Sequence, residues 1–256
     1  MVKRVAIITG ASSGIGAETA ILLAQHNYNL IITYNANKVG GESTLEKCKQ
    51  SDNEVILVKA DVSQDADCSR IINTAISKWG RLDVLINNAG TTRFVAADNL
   101  NGLDAADFEH IFSVNVTGCY QMTRAAAPHL QKERGSVVNI SSHSAFSGIG
   151  SSMPYAASKG ALNTLTLSFA RTLAPDVRVN AVCPGFVDND WMASALSSKD
   201  LARLKKRTAS LAPLKRIPSA ADIAKTALWF ALGTVPVTGQ MLVVDGGTHL
   251  TVGDPL

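Results

Sequence analysis

Cysteine is scarce. Cys48, Cys68, Cys119 and Cys183 are spread through 256 residues with no Cys-x-x-Cys pair and no histidine-rich cluster at metal-ligand spacing. This argues against a disulfide framework and against a structural zinc, so no metal is expected, and a reducing, cytoplasmic compartment fits best. Long hydrophobic runs are also missing. No apolar stretch approaches the roughly 20 residues that span a bilayer, and the run after the basic start Met1-Val-Lys-Arg stops at Gly10, too short for a secretory signal. No membrane association is expected. Charge of one sign is lacking as well: 24 basic against 21 acidic residues leave +3, and no basic tract is interleaved with aromatics as a nucleic-acid surface requires. Linkers of low complexity, charge blocks and internal repeats are absent, so residues 1–256 are expected to form a single domain.

What the chain does have is alternation. Short apolar runs at Val5-Ile8, Leu30-Ile32, Val55-Val58, Val84-Ile86, Val137-Ile140, Val177-Val182 and Met241-Val244 read as seven buried strands. Between them lie amphipathic stretches at Ile15-His26, Gly41-Ser51, Asp65-Trp79, Asp104-Leu130, Tyr155-Leu173 and Ala220-Leu232. Strands apolar on both faces and joined by helical crossovers pair in parallel and are covered on both sides. The expected class is α/β, a doubly wound parallel seven-stranded sheet with helices on both faces. One stretch, residues 186–216, breaks the alternation: it has no strand of its own, only short helical pieces around Lys199-Arg207, and reads as a mobile substrate lid.

Directly after the first strand, Thr9-Gly10-Ala11-Ser12-Ser13-Gly14-Ile15-Gly16 turns into a helix. A tight turn needs a residue without Cβ, a pyrophosphate must approach bare backbone, and the helix start offers unpaired N–H groups and a positive dipole end. Gly10, Gly14 and Gly16 suit these demands, with Ser12, Ser13 and Ile15 between them. A plain strand-to-helix connection is the alternative. The strand–turn–helix context favours a Rossmann-type dinucleotide site, in a Gly-x-x-x-Gly-x-Gly variant of its glycine spacing.

From Val5 to about Thr248 the chain resembles the short-chain dehydrogenase/reductase family. The likeness is carried by TGASSGIG at Thr9-Gly16, Asp61-Val62, NNAG at Asn87-Gly90, Asn115, NISS at Asn139-Ser142, YAASK at Tyr155-Lys159, Pro184-Gly185 and the closing TGQMLVVDGG. Among its members the chain is most reminiscent of 3-oxoacyl-carrier-protein reductases, Thr91-Thr-Arg after NNAG included. The chemistry is consistent with the resemblance. As hydride reaches a carbonyl carbon, negative charge grows on oxygen, so an acid must stand beside it. Tyr155 is the candidate acid; Lys159, one helical turn later on the same face, is the cation that would lower its pKa. The resemblance further implies that Lys159 holds the nicotinamide ribose, that Ser142 rather than Ser141 or Ser144 bonds the substrate oxygen, and that Asn115 bends its helix and holds a water linking Lys159 to solvent.

Cofactor identity is read at the end of the second strand, where NAD sites commonly carry an acid. Here the chain has Thr33-Tyr34-Asn35-Ala36-Asn37-Lys38, without a carboxylate, so Asn35 and Lys38 favour NADP(H) with NAD(H) possible. By the same resemblance Asp61 and Val62 meet the adenine, Asn87, Ala89 and Gly90 line the ribose side, Pro184, Gly185 and Val187 reach the carboxamide, and Asn189 stands where relatives carry threonine.

The substrate is a small carbonyl or alcohol. Thr91-Val95, His143-Met153 and the lid wall its cleft, contributing Phe94, Phe146, Met153, Phe186, Trp191 and Met192, which could equally be core or oligomer contacts. His143 either touches substrate or is merely solvated. The lid carries Lys199, Arg203, Lys205, Lys206, Arg207, Lys215 and Arg216 against Asp200, which suggests an anionic substrate or simply a solvated helix face. Lys132-Glu133-Arg134 and Pro175-Asp176 lack the basic grip expected for an acidic carrier protein. Two rivals remain: a non-catalytic dinucleotide-binding sensor or scaffold, whose mark would be a broken Asn115, Ser142, Tyr155, Lys159 set, and an NAD-retaining epimerase or dehydratase, which would need a longer chain. The resemblance also implies a homotetramer paired through Asp104-Leu130 and Tyr155-Leu173.

Overall fold

The computed structural model describes residues 3–49, 52–188, 197–233 and 235–251. Asn189, Trp191 and Met192 lie outside them. Seven strands, β1 Val5–Ile8, β2 Asn29–Tyr34, β3 Val55–Lys59, β4 Val84–Asn87, β5 Ser136–Ile140, β6 Arg178–Pro184 and β7 Met241–Val244, pair in parallel in the order β3-β2-β1-β4-β5-β6-β7. The helices are α1 Gly14–Gln25, α2 Lys38–Cys48, α3 Asp65–Trp79, α4 Ala105–Phe112, α5 Cys119–Glu133, α6 Ser144–Ser147, α7 Met153–Leu173, α8 Ser198–Leu211 and α9 Ala220–Leu232. The parallel α/β sheet with helices on both faces is as the alternation requires.

The pleat sorts the core. In β1, Val5 and Ile7 belong to a cluster with Ile71 and Ile72 of α3, Met122 and Leu130 of α5, and Leu173 of α7. Ala6 and Ile8 point the other way, to Leu23 of α1, Cys48 of α2 and Ile223 and Phe230 of α9. All four β1 residues are fully buried. One strand thus feeds two cores because successive side chains face opposite sides of a sheet.

Helix starts are chemically marked. Asp104 and Asp107 form a reciprocal capping box on α4, as Ser219 and Asp222 do on α9, and Ser152 caps α7 with Pro154 in its first turn. Asn37 accepts from the Gly40 N–H at 2.9 Å, so α2 begins at Lys38 and not at Gly41. Glycine is needed in that first turn: a Cβ on Gly40 would lie 2.2 Å from the Ser12 carbonyl oxygen.

Besides that start of α2 and the short α6, two stretches differ from the sequence reading. The stretch expected as one helix over Asp104-Leu130 is broken by a π-helical turn, Ser113–Gly118, between α4 and α5. There Asn115 bonds outside the helix, and Gly118 lets Val62 close to where a Cβ would be 2.7 Å away. The helical pieces around Lys199-Arg207 are one helix, α8, capped by Ser197 on Asp200.

Candidate active site

The order of strands reverses between β1, whose chain moves on to β2 and β3, and β4, which lies on β1's other side. Open α/β sheets bind ligands at the carboxyl ends of the strands beside such a switch. A cleft of about 1140 Å³ opens there, and its lining runs from Asn35 and Asp61 past the glycine turn to Tyr155, Phe186 and Thr248.

At the switch the chain is stitched across β1 and β4. The Asn88 side chain donates to the carbonyls of Thr9 (3.0 Å) and Gly10 (2.9 Å), and the Thr9 hydroxyl accepts from the Asn88 and Ala89 N–H groups at 3.0 Å. Gly10 (φ 64°) and Gly14 (φ 55°) take the left-handed backbone that the turn requires. Gly16 does not line the cleft; a Cβ on it would lie 2.4 Å from Asn88 Nδ2 and 2.5 Å from Gly10 O. Ser13 stands at the N-cap of α1 without capping it by its side chain, and no acidic residue occupies the first turn. The resulting cradle of bare backbone, open N–H groups and positive dipole fits a pyrophosphate.

The expected cofactor residues divide clearly. Gly10, Ser12, Ser13, Gly14, Ile15, Asn35, Asp61, Val62, Ala89, Gly90, Pro184, Gly185 and Val187 all line the cleft. Asp61 uses one carboxylate oxygen to accept the Ser63 N–H. Lys38 does not line the cleft and pairs instead with Glu42 at 3.5 Å on the exposed face of α2. Asn87 points inward, donating to Thr123 and Asn139 (3.0 and 2.9 Å), while its neighbour Asn88 takes the cleft side. Thr33, Asn37, Asn88, His110 and Thr248 join the lining without having been singled out.

On the other side of the switch, α7 and the end of β5 bring Tyr155, Lys159 and Ser142 to one wall. All three are more than nine-tenths buried. The Lys159 Nζ donates to the Ile140 carbonyl at 2.9 Å and stands 5.6 Å from the centre of the Tyr155 ring. Burial pushes the Tyr155 phenol up to about 12, opposed by a hydrogen bond with Ser142, and brings the Lys159 ammonium down to about 8, resisted by Cys119 and Cys183. All three candidate serines line the cleft and differ in their partners: Ser141 donates to Asn163 (2.7 Å), and Ser142 donates to Ser144 at 3.0 Å. Asn115 is buried behind this wall, accepting from the Thr91 N–H (2.8 Å) and donating to Thr91 O and Ser158 Oγ (3.0 Å each). It thereby ties the loop after β4 to α7, and Gly90 is the contact: a Cβ there would sit 3.3 Å from Asn115 Oδ1 and 3.7 Å from Lys159 Nζ.

The end of β6 and α8 stand at the far end of the cleft. Phe186, Leu204 and Thr208 line the cleft, Lys205 of α8 pairs with Asp188, and Asp188 bridges to Ser219. Phe94 lines the cleft too, whereas Phe146 and Met153 do not and are exposed. Among the described residues no helix is long and apolar enough to cross a membrane.

A family model described as enoyl-(acyl carrier protein) reductase matches residues 10–249. Ketoacyl reductase 2 of the granaticin polyketide synthase of Streptomyces violaceoruber is 39% identical over 96% of both chains. The 3-oxoacyl-acyl-carrier-protein reductase of Staphylococcus aureus is 34% identical over 96% of this chain and 98% of its own. A crystal structure of a short-chain dehydrogenase/reductase from Burkholderia xenovorans superposes with a TM-score of 0.91 at 39% identity, covering 98% of this chain and all of that one. The matched length, the identities and the shared sheet establish that the chain belongs to the short-chain dehydrogenase/reductase family of oxidoreductases.

Proposed function

We propose that the chain interconverts a ketone and a secondary alcohol using NADP(H), with Tyr155 as general acid and base. The observation that carries the reading is the convergence of Ser142, Tyr155 and Lys159 on one buried wall of the cleft that also holds the glycine turn. A bound nicotinamide dinucleotide supplies the hydride in reduction and accepts it in oxidation. Ser142 orients the carbonyl oxygen, and Tyr155 passes its phenolic proton to that oxygen, so that one hydride and one proton give the alcohol. The phenol at about 12 is too weak an acid by itself near neutral pH; Lys159, still mostly protonated below about 8, supplies the positive charge that stabilises the tyrosinate left behind. Asn115 positions Gly90 against Lys159, and the water-linked proton route through it is part of this proposal.

The preference for NADP(H) rests on the tip of β2. Asn35, Ala36 and Asn37 line the cleft there with no carboxylate among them, and α2 starts at once, its positive end towards the same corner. Lys38 is held only by an exposed pair with Glu42, weak enough to be exchanged for a phosphate. Asn189, outside the described residues, and Val187 are proposed to flank the carboxamide. We take residues 1–256 as one catalytic domain with a lid at 186–216, acting in the cytoplasm, where four buried free cysteines are at home. A homotetramer is proposed from the exposed apolar groups of the long helices, Phe108, Tyr120 and Leu167, and from Trp229 and Leu242 near the β7 edge.

The test is to mix protein with NADPH and a panel of ketones and follow nicotinamide absorbance, then repeat with Tyr155→Phe. The variant should bind NADPH and lose about 10²–10⁴ in turnover; equal rates for both proteins would reject the assignment. Including a carrier-bound oxoacyl thioester in the panel tests partner choice. The stretches Lys132-Glu133-Arg134 and Pro175-Asp176 mix or lack basic charge where an acidic carrier would be gripped, and small ketones should be the better substrates.

A further inference from the structure

The cleft has a second polar wall beyond the tyrosine. His143, half-buried at the start of α6, follows Ser142 directly and lines the cleft. Its N–H is anchored on Pro184 O at 2.8 Å, and its ring lies against that of His249, centroids 6.3 Å apart and planes tilted by 45°. His249 comes from the turn after β7. Its Nδ1 lies 2.9 and 3.0 Å from the two oxygens of Asp245, and Asp245 also accepts the N–H groups of His249 and Gly247, each at 2.8 Å. Asp245 is 3% exposed. Burial pushes its carboxyl up, but the hydrogen bonds from His249, Gly247 and Thr248 outweigh that, so it stays ionised at neutral pH. A carboxylate fixed on Nδ1–H sets the tautomer and plane of His249, and His249 in turn backs His143.

The surroundings favour negative charge. Among the described residues, Tyr155, Lys159 and His110 share the cleft with His143, and His249 and Asp245 stand beside it. Asp61, the acid that lines the same cleft, sits at the end of β3, four strands from β5. The lid adds cationic residues: on α8, Leu204 and Thr208 face the cleft, while Lys199, Arg203, Lys206 and Arg207 are exposed around them and Asp200 is engaged at the helix cap. Such a rim raises the local concentration of anions.

We propose that His143, supported by the Asp245–His249 pair, is a specificity-determining residue that takes a carboxylate carried by the ketone substrate a few bonds from its carbonyl. This rests on the reading that places that carbonyl at Ser142 and Tyr155.

The experiment compares an oxo acid with its methyl ester and its amide of equal chain length. The wild type should prefer the acid by at least about tenfold in kcat/KM, through KM. His143→Gln should bring the acid-to-ester ratio close to one, and His249→Gln should lower it part of the way. A wild-type ratio near one, or a ratio unmoved by both substitutions, overturns the proposal. Calorimetric titration of the saturated carboxylate into protein carrying NADP⁺ separates the two readings. Binding by wild type that weakens at least tenfold in His143→Gln upholds the anion site even if Tyr155→Phe proves fully active, and no binding by wild type rejects it. Melting curves verify folding; should His143→Gln fail to fold, His249→Gln, whose side chain lies behind the wall, decides alone.

Discussion

Lys159 shows how much a buried charge can cost its own fold. Its ordinary pKa is 10.5 and the folded chain lowers it to about 8 because the ammonium is buried. The native state therefore binds that proton more weakly than the unfolded one. The resulting penalty, on the order of 3 kcal/mol, is fully present below about pH 8 and fades as the pH rises towards 10.5. Lys159→Met should thus raise the melting temperature of the cofactor-free protein by several degrees at pH 7, less the lost bond to Ile140, with the gain shrinking by pH 10, while turnover disappears. A lower melting temperature at pH 7 would contradict this. The proposed cofactor preference also turns on single side chains. Asn35→Asp should raise the KM for NADPH at least tenfold and that for NADH little, since a carboxylate beside a 2′-phosphate repels it; unchanged KM values would show that Asn35 is not at the phosphate.

At the scale of elements, the glycine turn and the π-helical turn set the geometry around which those residues work. Gly16 is needed for packing, not for contact with ligand: any Cβ collides with the Asn88 amide and the Gly10 carbonyl, the bonds that join β1 to β4. Gly16→Val should weaken NADP⁺ binding at least tenfold and lower the melting temperature, because neither neighbour can withdraw without breaking the stitch. Binding unchanged by calorimetry would show that the turn can give way. The same scale explains what was legible. Strands and most helix limits follow from hydrophobic period and caps, so Asp65–Trp79 and Ala220–Leu232 agree with the reading to the residue. Asn87 is expected on the ribose side of the cleft; the alternation of β4 sends it inward with Leu85 to the α5 side, while Ile86 faces α1. The resemblance implies a bend at Asn115, but the π-helical turn over Ser113–Gly118 was not legible from the residues themselves, because it depends on Thr91, Ser158 and Val62, none of them local.

At the scale of the molecule, the sheet order brings together what the chain separates. Tyr155 and Gly10 are 145 residues apart, yet the reversal between β1 and β4 puts both on one cleft. The surface left over has its own consequence. Phe108, Tyr120, Leu167, Trp229 and Leu242 are each more than 40% exposed, an apolar surface that a monomer would leave in water. Sedimentation should therefore give a tetramer, and Trp229→Lys a smaller assembly; a monomeric wild type would remove the proposal.

Local chemistry written along the chain determined the elements, the glycine turn and the tyrosine–lysine spacing, since period, caps and i,i+4 neighbours are short-range properties. Only the tertiary structure decided that Asn115 meets Thr91 and Ser158, and that Asp245 and His249 stand beside His143. Those last three follow the ends of β7 and β5, brought within reach because β6 pairs with both, and strand pairing is a long-range choice that no local pattern records.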